Sequence, residues 1–148
     1  MKIRRATEAD ADRCVAMGGQ FYNTAYYAET IPYDPASGRV IFDYLLTQGI
    51  LLVAEAGDSI VGMVGLVVAP FIFNTAHTSA HEVMWWVEPG KRASGAGLAL
   101  LRAIEPAARE SGVVMIQMMN LASSPEHTAK IYERLGFKHS ESSFSKAI

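Results

Sequence analysis

An α+β fold is the architecture this sequence predicts: one central sheet flanked by helices, with elements in the order β-α-α-β-β-β-α-β-α-β. Two observations predict it. Short apolar, strand-like runs are interleaved with helix-period segments along the chain. A glycine-rich stretch, Arg92-Ala93-Ser94-Gly95-Ala96-Gly97, also stands between a strand-like run and a strong helix pattern. The chain of 148 residues is expected to form one domain, 1–148, long enough for a real hydrophobic core.

Each element has a local cause. Lys2 to Arg5 reads as a short edge strand. Thr7-Glu8-Ala9-Asp10 starts a helix in capping-box fashion, with an acid three positions after the threonine. The Gly18-Gly19 pair is expected to weaken or end that helix. Phe21 to Pro35 is a loop carrying Phe21, Tyr22, Tyr26, Tyr27 and Tyr33. These rings either pack on the core or form the rim of a pocket. Pro35-Ala36-Ser37 opens a second helix that ends near Gly49. Ile50 to Glu55 and Ser59 to Val68 form a hairpin about Gly57-Asp58, a pair that favours tight turns. Pro70 to Ser79 is expected to be a connection bearing Phe71 and Phe73, and Ala80 to Val87 the next strand.

The C-terminal half continues the alternation. Gly95 to Ser111 is a helix that Pro106 must kink or leave with an unpaired carbonyl, and Gly112 ends it. Val113 to Met119 reads as a buried strand by its apolar continuity. Ser124 to Leu135 is a helix capped by Ser123 or Ser124, with Pro125 in its first turn. Phe137 to Lys146 is a final strand, polar enough for an edge. Met84, Met115, Met118 and Met119 are expected as core fillers.

Composition excludes several functions. With 13 basic and 15 acidic residues and a net charge of −2, bulk electrostatics gives no argument for nucleic acid. The longest apolar stretch, Ile60 to Phe73, is interrupted by Gly62, Gly65 and Pro70, so no membrane span is expected. Met1-Lys2-Ile3-Arg4-Arg5 leads into a polar segment, so no signal peptide is expected. The single cysteine, Cys14, cannot form an internal disulfide, in keeping with a cytoplasmic protein. It is expected to be buried in a helix. His77, His81, His127 and His139 show no ligand spacing, so no metal is expected.

The glycine stretch carries the chemistry. Glu82-Val83-Met84-Trp85-Trp86-Val87 precedes it as a strand and Leu98 to Ile104 follows as a helix. A strand, a glycine loop and a helix N-terminus form a phosphate cradle, with backbone N–H groups and the helix dipole facing one point. A P-loop requires G-x-x-x-x-G-K-S/T, but Arg92 follows Gly90-Lys91 and Trp85 lies five positions before Gly90. A Rossmann fingerprint requires a third glycine where Leu100 stands, and an acidic residue that Met115 to Met119 lacks. The run Val87-Glu88-Pro89-Gly90-Lys91-Arg92-Ala93-Ser94-Gly95-Ala96-Gly97 instead resembles the V-x-P-x-x-R-x-x-G-x-G signature of the GNAT acyl-CoA N-acetyltransferases. Downstream, Ala129-Lys130-Ile131-Tyr132-Glu133-Arg134-Leu135-Gly136-Phe137 is similar to the A-x-x-L/I/V-Y-x-x-x-G-F motif of that family. The resemblance covers roughly residues 50 to 146.

The resemblance implies a mixed, mostly antiparallel sheet and direct transfer of an acetyl group from acetyl-CoA to a primary amine. It implies that Tyr132 is the acid that protonates the departing sulfur, and that Glu82 is the base, directly or through water. His81 or solvent are the reserves for that role. An amine of pKa about 10.4 is free base in roughly one molecule per thousand near pH 7.4, so a base is useful. Simple alternation puts Glu82, Met84 and Trp86 on one face of the strand and His81, Val83, Trp85 and Val87 on the other. A bulge, frequent here in the family, would exchange the faces beyond it. The backbone at Trp86 and Val87 is expected to bind the pantetheine. The amides of Arg92, Ala93, Ser94, Gly95, Ala96 and Gly97 are expected to hold the pyrophosphate, with the Arg92 guanidinium adding a charged contact. The family's asparagine before the last helix is replaced at Ser124-Pro125-Glu126, and Asn120 is the substitute. Tyr26, Tyr27 and Phe73 are expected to border the acceptor. The acceptor is a small-molecule amine or a peptide or protein amine; a homodimer is compatible with the same pattern. Two other readings share the cradle: a catalytically idle GNAT-like module that binds CoA, and a nucleotide-binding module.

Overall fold

The computed structural model describes residues 1–148. Five strands form one sheet in the order β1-β2-β3-β4-β5: β1 (Lys2–Arg5), β2 (Ile50–Ala56), β3 (Ser59–Phe71), β4 (Asn74–Val87) and β5 (Val113–Gln117). The first three pairings are antiparallel and β4–β5 is parallel. Helices α1 (Ala11–Tyr22) and α2 (Pro35–Thr47) cover one face, and α3 (Ala96–Glu110) with the short α4 (Thr128–Arg134) covers the other. The architecture is the expected α+β sheet with helices on both sides. No helix is long and apolar enough to cross a membrane.

Two cores hold the layers together. On the α3 side, Leu52, Val64 and Leu66 of the sheet pack against Leu100, Leu101 and Ile104. On the α1/α2 side, Leu51, Val53 and Met63 pack against Cys14, Met17, Phe42 and Leu45. Successive residues of β2 thus feed opposite cores, as a period of two requires. Burial pushes the Cys14 thiol up to about 12, which leaves it an inert core group.

Several expectations are corrected. Helix α1 continues through Gly18-Gly19 to Tyr22. The glycines sit under the Tyr33 ring: a Cβ on Gly19 would stand 2.9 Å from Tyr33 Cε1, and one on Gly38 2.0 Å from its hydroxyl. Tertiary packing therefore places these glycines, rather than helix termination. Strand β3 runs to Phe71 and β4 begins at Asn74, so the expected connection is paired strand. Pro70 is tolerated because β3 loses its β2 neighbour after Leu66 and is paired on one side only. Pro106 lies within a continuous α3, with the exposed Arg102 one turn before it, so the carbonyl it leaves unpaired faces solvent.

The last helix begins at Thr128; Ser124 to His127 form turns, with Thr128 N–H donating to Pro125 O. Residues 137–148 form no strand. Their stretch from Lys138 to Ser143 is wholly polar, and its one tie to β5 is Gln117 Nε2 donating to Glu141 Oε1. Consequently β5 is an edge with Val114 and Met115 exposed, contrary to the buried strand expected. Met119 is exposed as well, while Met84 and Met118 pack against the cores.

Candidate active site

The site forms where β4 and β5 part. Their pairing runs only from Thr78↔Val113 to His81↔Gln117. Beyond it, β4 continues to Val87 with β3 as its sole partner. Glu82 is the first residue past the last pair. Its carboxylate fills the opening: Met119 N–H donates to Glu82 Oε2 at 2.9 Å, and Tyr132 O–H donates to the same oxygen at 3.4 Å. Tyr132 O–H also lies 3.0 Å from Met119 O, which accepts from it. Glu82 and Tyr132 are thus brought together, and both are buried.

A bulge decides this placement. Leu66 pairs with Glu82 and Gly65 with Met84, so Val83 is the extra residue. Val83, Met84 and Trp86 then face α1 and α2, while Trp85 and Val87 face α3 with the Glu82–Tyr132 pair. Glu82 therefore lies opposite Met84 and Trp86, correcting the simple alternation. His81 is exposed and its ring pairs with the Ser79 hydroxyl at 2.9 Å.

Electrostatics follows from burial. Desolvation pushes the Glu82 carboxyl up from 4.5 to about 7, against the Met119 and Tyr132 hydrogen bonds that pull it down. Burial, then the nearby Glu82 charge, raises the Tyr132 phenol well above 10. Burial also raises the Tyr27 phenol, with smaller contributions from Tyr22 and from the Glu82 charge. Tyr27 therefore lies within the field of the Glu82 carboxylate.

The tandem tryptophans split. Trp86 Nε1 donates to Gln20 Oε1 at 3.1 Å, and the Arg92 guanidinium lies 4.9 Å from the Trp86 ring centroid. Arg92 Nε also donates to Val87 O. Trp85 packs on Tyr132 at 5.9 Å between ring centroids, and its Cζ2 would stand 3.0 Å from a Cβ on Gly97. Trp85 Nε1 is buried without a hydrogen-bond partner. Gly97 thus makes room for Trp85.

The glycine loop is a 3-10 turn over Pro89–Ser94 that breaks at Gly95, whose φ of 82° is left-handed. Ser94 Oγ accepts from Ala96 N–H, and the remaining first-turn N–H groups of α3 have no intrahelical acceptor. Arg92, Ala93, Ser94 and Gly95 are exposed around that point, and Ala96 is buried beneath it.

A cavity of about 440 Å³ opens on the other side of β4, among α1, the aromatic loop and α2. Tyr27, Val83 and Met84 line it, as do residues singled out by no sequence motif: Ile41, Phe42 and Met63. Tyr26 is exposed and lines a separate shallow cavity with Ala122 and Ser123. Phe73 is 89% exposed at the β3–β4 tip, packed on Phe71, and lines neither cavity. Asn120 is exposed beside Met119. Met119 itself was missed, because only its position past the end of β5 frees its N–H and C=O for Glu82 and Tyr132. No group of three or more His, Cys, Asp or Glu side chains is placed to hold a metal ion.

Comparison with known proteins agrees with this layout. A structure described as a transcriptional regulator from Bacillus halodurans C-125 matches with 26% identity, a TM-score of 0.78 and 99% of each chain covered. A ribosomal-protein-alanine N-acetyltransferase from Brucella melitensis biovar Abortus 2308 matches with 18% identity and a TM-score of 0.74 over 100% of both chains. A predicted acetyltransferase from Clostridium acetobutylicum, solved with acetyl-CoA, matches with 16% identity and a TM-score of 0.74, covering 99% of this chain and 95% of that one. No curated protein sequence matches. The model of the acetyltransferase (GNAT) family matches residues 19–137, and the chain belongs to that family.

Proposed function

We propose that the protein is an acetyl-CoA-dependent N-acetyltransferase that moves an acetyl group directly to a primary amine. The observation that carries this is the hydrogen-bonded Glu82–Tyr132 pair at the parting of β4 and β5, a base and an acid in one network. The residues around it fit an acyl-CoA. The left-handed Gly95 and the first-turn N–H groups of α3 suit a pyrophosphate. The open edge of β4 from Glu82 to Val87 suits an amide chain. The orphaned Trp85 N–H is a donor on the same wall, between Tyr132 and Gly97.

Acetyl-CoA supplies an activated thioester acyl group. Glu82, with a carboxyl near 7, is matched to accept a proton from an ammonium at neutral pH. Tyr132 keeps its phenolic proton at all ordinary pH values and holds it for the leaving sulfur. The proton Glu82 gains can then pass to Tyr132 across their shared bond. Net, the ammonium nitrogen loses two protons and gains the acetyl group, the C–S bond breaks, and the sulfur gains one proton. The second proton leaves to solvent, which restores Glu82 and Tyr132 to their starting states.

Two measurements test the reading. Calorimetry should show acetyl-CoA binding, and free thiol should appear only when a primary amine is added. Tyr132→Phe keeps the ring and should lower turnover by on the order of a hundredfold with acetyl-CoA affinity little changed. Binding without thiol release from any amine would identify an idle CoA-binding module instead.

A further inference from the structure

Resting on the transferase reading, we infer that the acceptor is a small primary amine with a compact apolar body of about aromatic-ring size. Its body lodges in the cavity between α1, α2 and β4, with its nitrogen at the open edge of β4 beyond His81, through which it reaches Glu82 on the opposite face. The cavity volume, about 440 Å³, lies in the roughly 300–1,000 Å³ range of small-molecule sites. Fourteen of its 19 lining residues are hydrophobic.

What polar groups the wall has are already committed. Asp34 is the only charged lining residue, and its carboxylate caps α2 by accepting from Ala36 N–H, Ser37 N–H and the Ser37 hydroxyl. The Tyr22 hydroxyl donates to Ile31 O and the Tyr33 hydroxyl to Val15 O. A polyamine or an amino sugar would bring further ammonium or hydroxyl groups into this space and leave them unpaired, which is strongly disfavoured. An apolar body meets no such penalty.

One polar group remains. The Tyr27 hydroxyl lines the cavity and has no hydrogen-bond partner. Val83 and Met84, the residues directly after Glu82, form the cavity's β4 wall, and an amine seated there reaches Glu82 past the edge of β4 that β5 leaves open beyond His81. The wall is also fixed in advance. The Tyr33 ring is held between Gly19 and Gly38, one glycine on each helix, so the cavity keeps its shape without ordering a loop on binding.

The test is an acceptor panel with acetyl-CoA and the full chain, read by free-thiol release. It compares 2-phenylethylamine and 3-methylbutylamine with spermidine, kanamycin and an alanyl peptide. The first two should exceed the other three in kcat/KM by at least tenfold. Ile41→Phe, which narrows the cavity, should raise KM for 2-phenylethylamine at least fivefold and leave acetyl-CoA affinity within twofold. Should that variant fold poorly, Ile41→Ala should raise kcat/KM for the longer 4-phenylbutylamine. A preference for spermidine, kanamycin or the peptide, or no preference, overturns the inference and leaves the transferase reading standing. Unchanged acceptor kinetics in both Ile41 variants overturns the cavity assignment. No thiol release with any amine, with acetyl-CoA bound, overturns the transferase reading and this inference with it.

Discussion

Replacing Glu82 by glutamine should make the protein more stable and nearly inactive. Burial raises the folded-state carboxyl from 4.5 to about 7. The folded state therefore binds more protons than the unfolded chain between those values, and stability falls as pH rises through that window. Above about pH 7 the full penalty is present. The displacement corresponds to about 3 kcal/mol. Both donors to Glu82, Met119 N–H and Tyr132 O–H, reach the same oxygen. A glutamine carbonyl at that position keeps both partners and removes the buried charge. Its NH₂ replaces the other oxygen and finds no named acceptor, so we expect a net gain of about 1–3 kcal/mol at pH 8. For a chain of this size that is a rise in Tm of about 2–12 °C. At pH 5 the wild-type carboxyl is neutral when folded, and the gain should shrink below about 1 kcal/mol. Thermal unfolding followed by circular dichroism at the two pH values measures this. Equal stability of the two proteins at pH 8, or the same difference at both pH values, would refute the desolvated carboxylate.

Three further outcomes follow from the geometry. Ala93→Glu puts a negative charge on the exposed cradle loop at the start of α3, and should weaken acetyl-CoA binding at least tenfold, about 1.4 kcal/mol, by calorimetry, with Tm unchanged. Gly38→Ala would ordinarily favour a helix by up to about 1 kcal/mol; here the new Cβ meets the Tyr33 hydroxyl at 2.0 Å, so chemical denaturation should show a loss of about 1–3 kcal/mol. Arg4 and Thr7 hold the buried Asp10 carboxyl down at about 2; its contribution is present above its ordinary 3.8 and is lost as pH falls toward 2. Asp10→Asn should therefore lower stability by about 1–2 kcal/mol at pH 7 and by much less at pH 2.

What was legible in the sequence was what local chemistry decides. Gly95 after a basic turn and before an apolar helix marked the loop-to-helix junction at α3, because a left-handed residue and a helix start are short-range features. The Thr7–Asp10 capping box and the Gly57 turn were legible for the same reason. The Glu82 face was hidden, since it depends on the register of β3 against β4 and on one extra residue, Val83. Gly18-Gly19 misled because the reason for the pair lies in Tyr33, fourteen positions or more away, on the far side of the aromatic loop. The segment after Phe137 has an edge-strand composition, yet only one side-chain bond, Gln117–Glu141, ties it to β5. Strand formation there depends on pairing that composition does not determine. Phe73 looked like a pocket aromatic, but the β3–β4 hairpin is longer than expected and carries it out to the tip.

The pH dependence of kcat/KM for the best acceptor, measured on wild type and Glu82→Gln, tests the central claim most directly. With Glu82 as the base, the wild-type rate should fall tenfold per pH unit below a break near 7. Glu82→Gln should be slower by on the order of a hundredfold or more and should lack that break. A wild-type profile without a break near 7, or a Glu82→Gln enzyme that keeps both the break and the rate, would contradict the account.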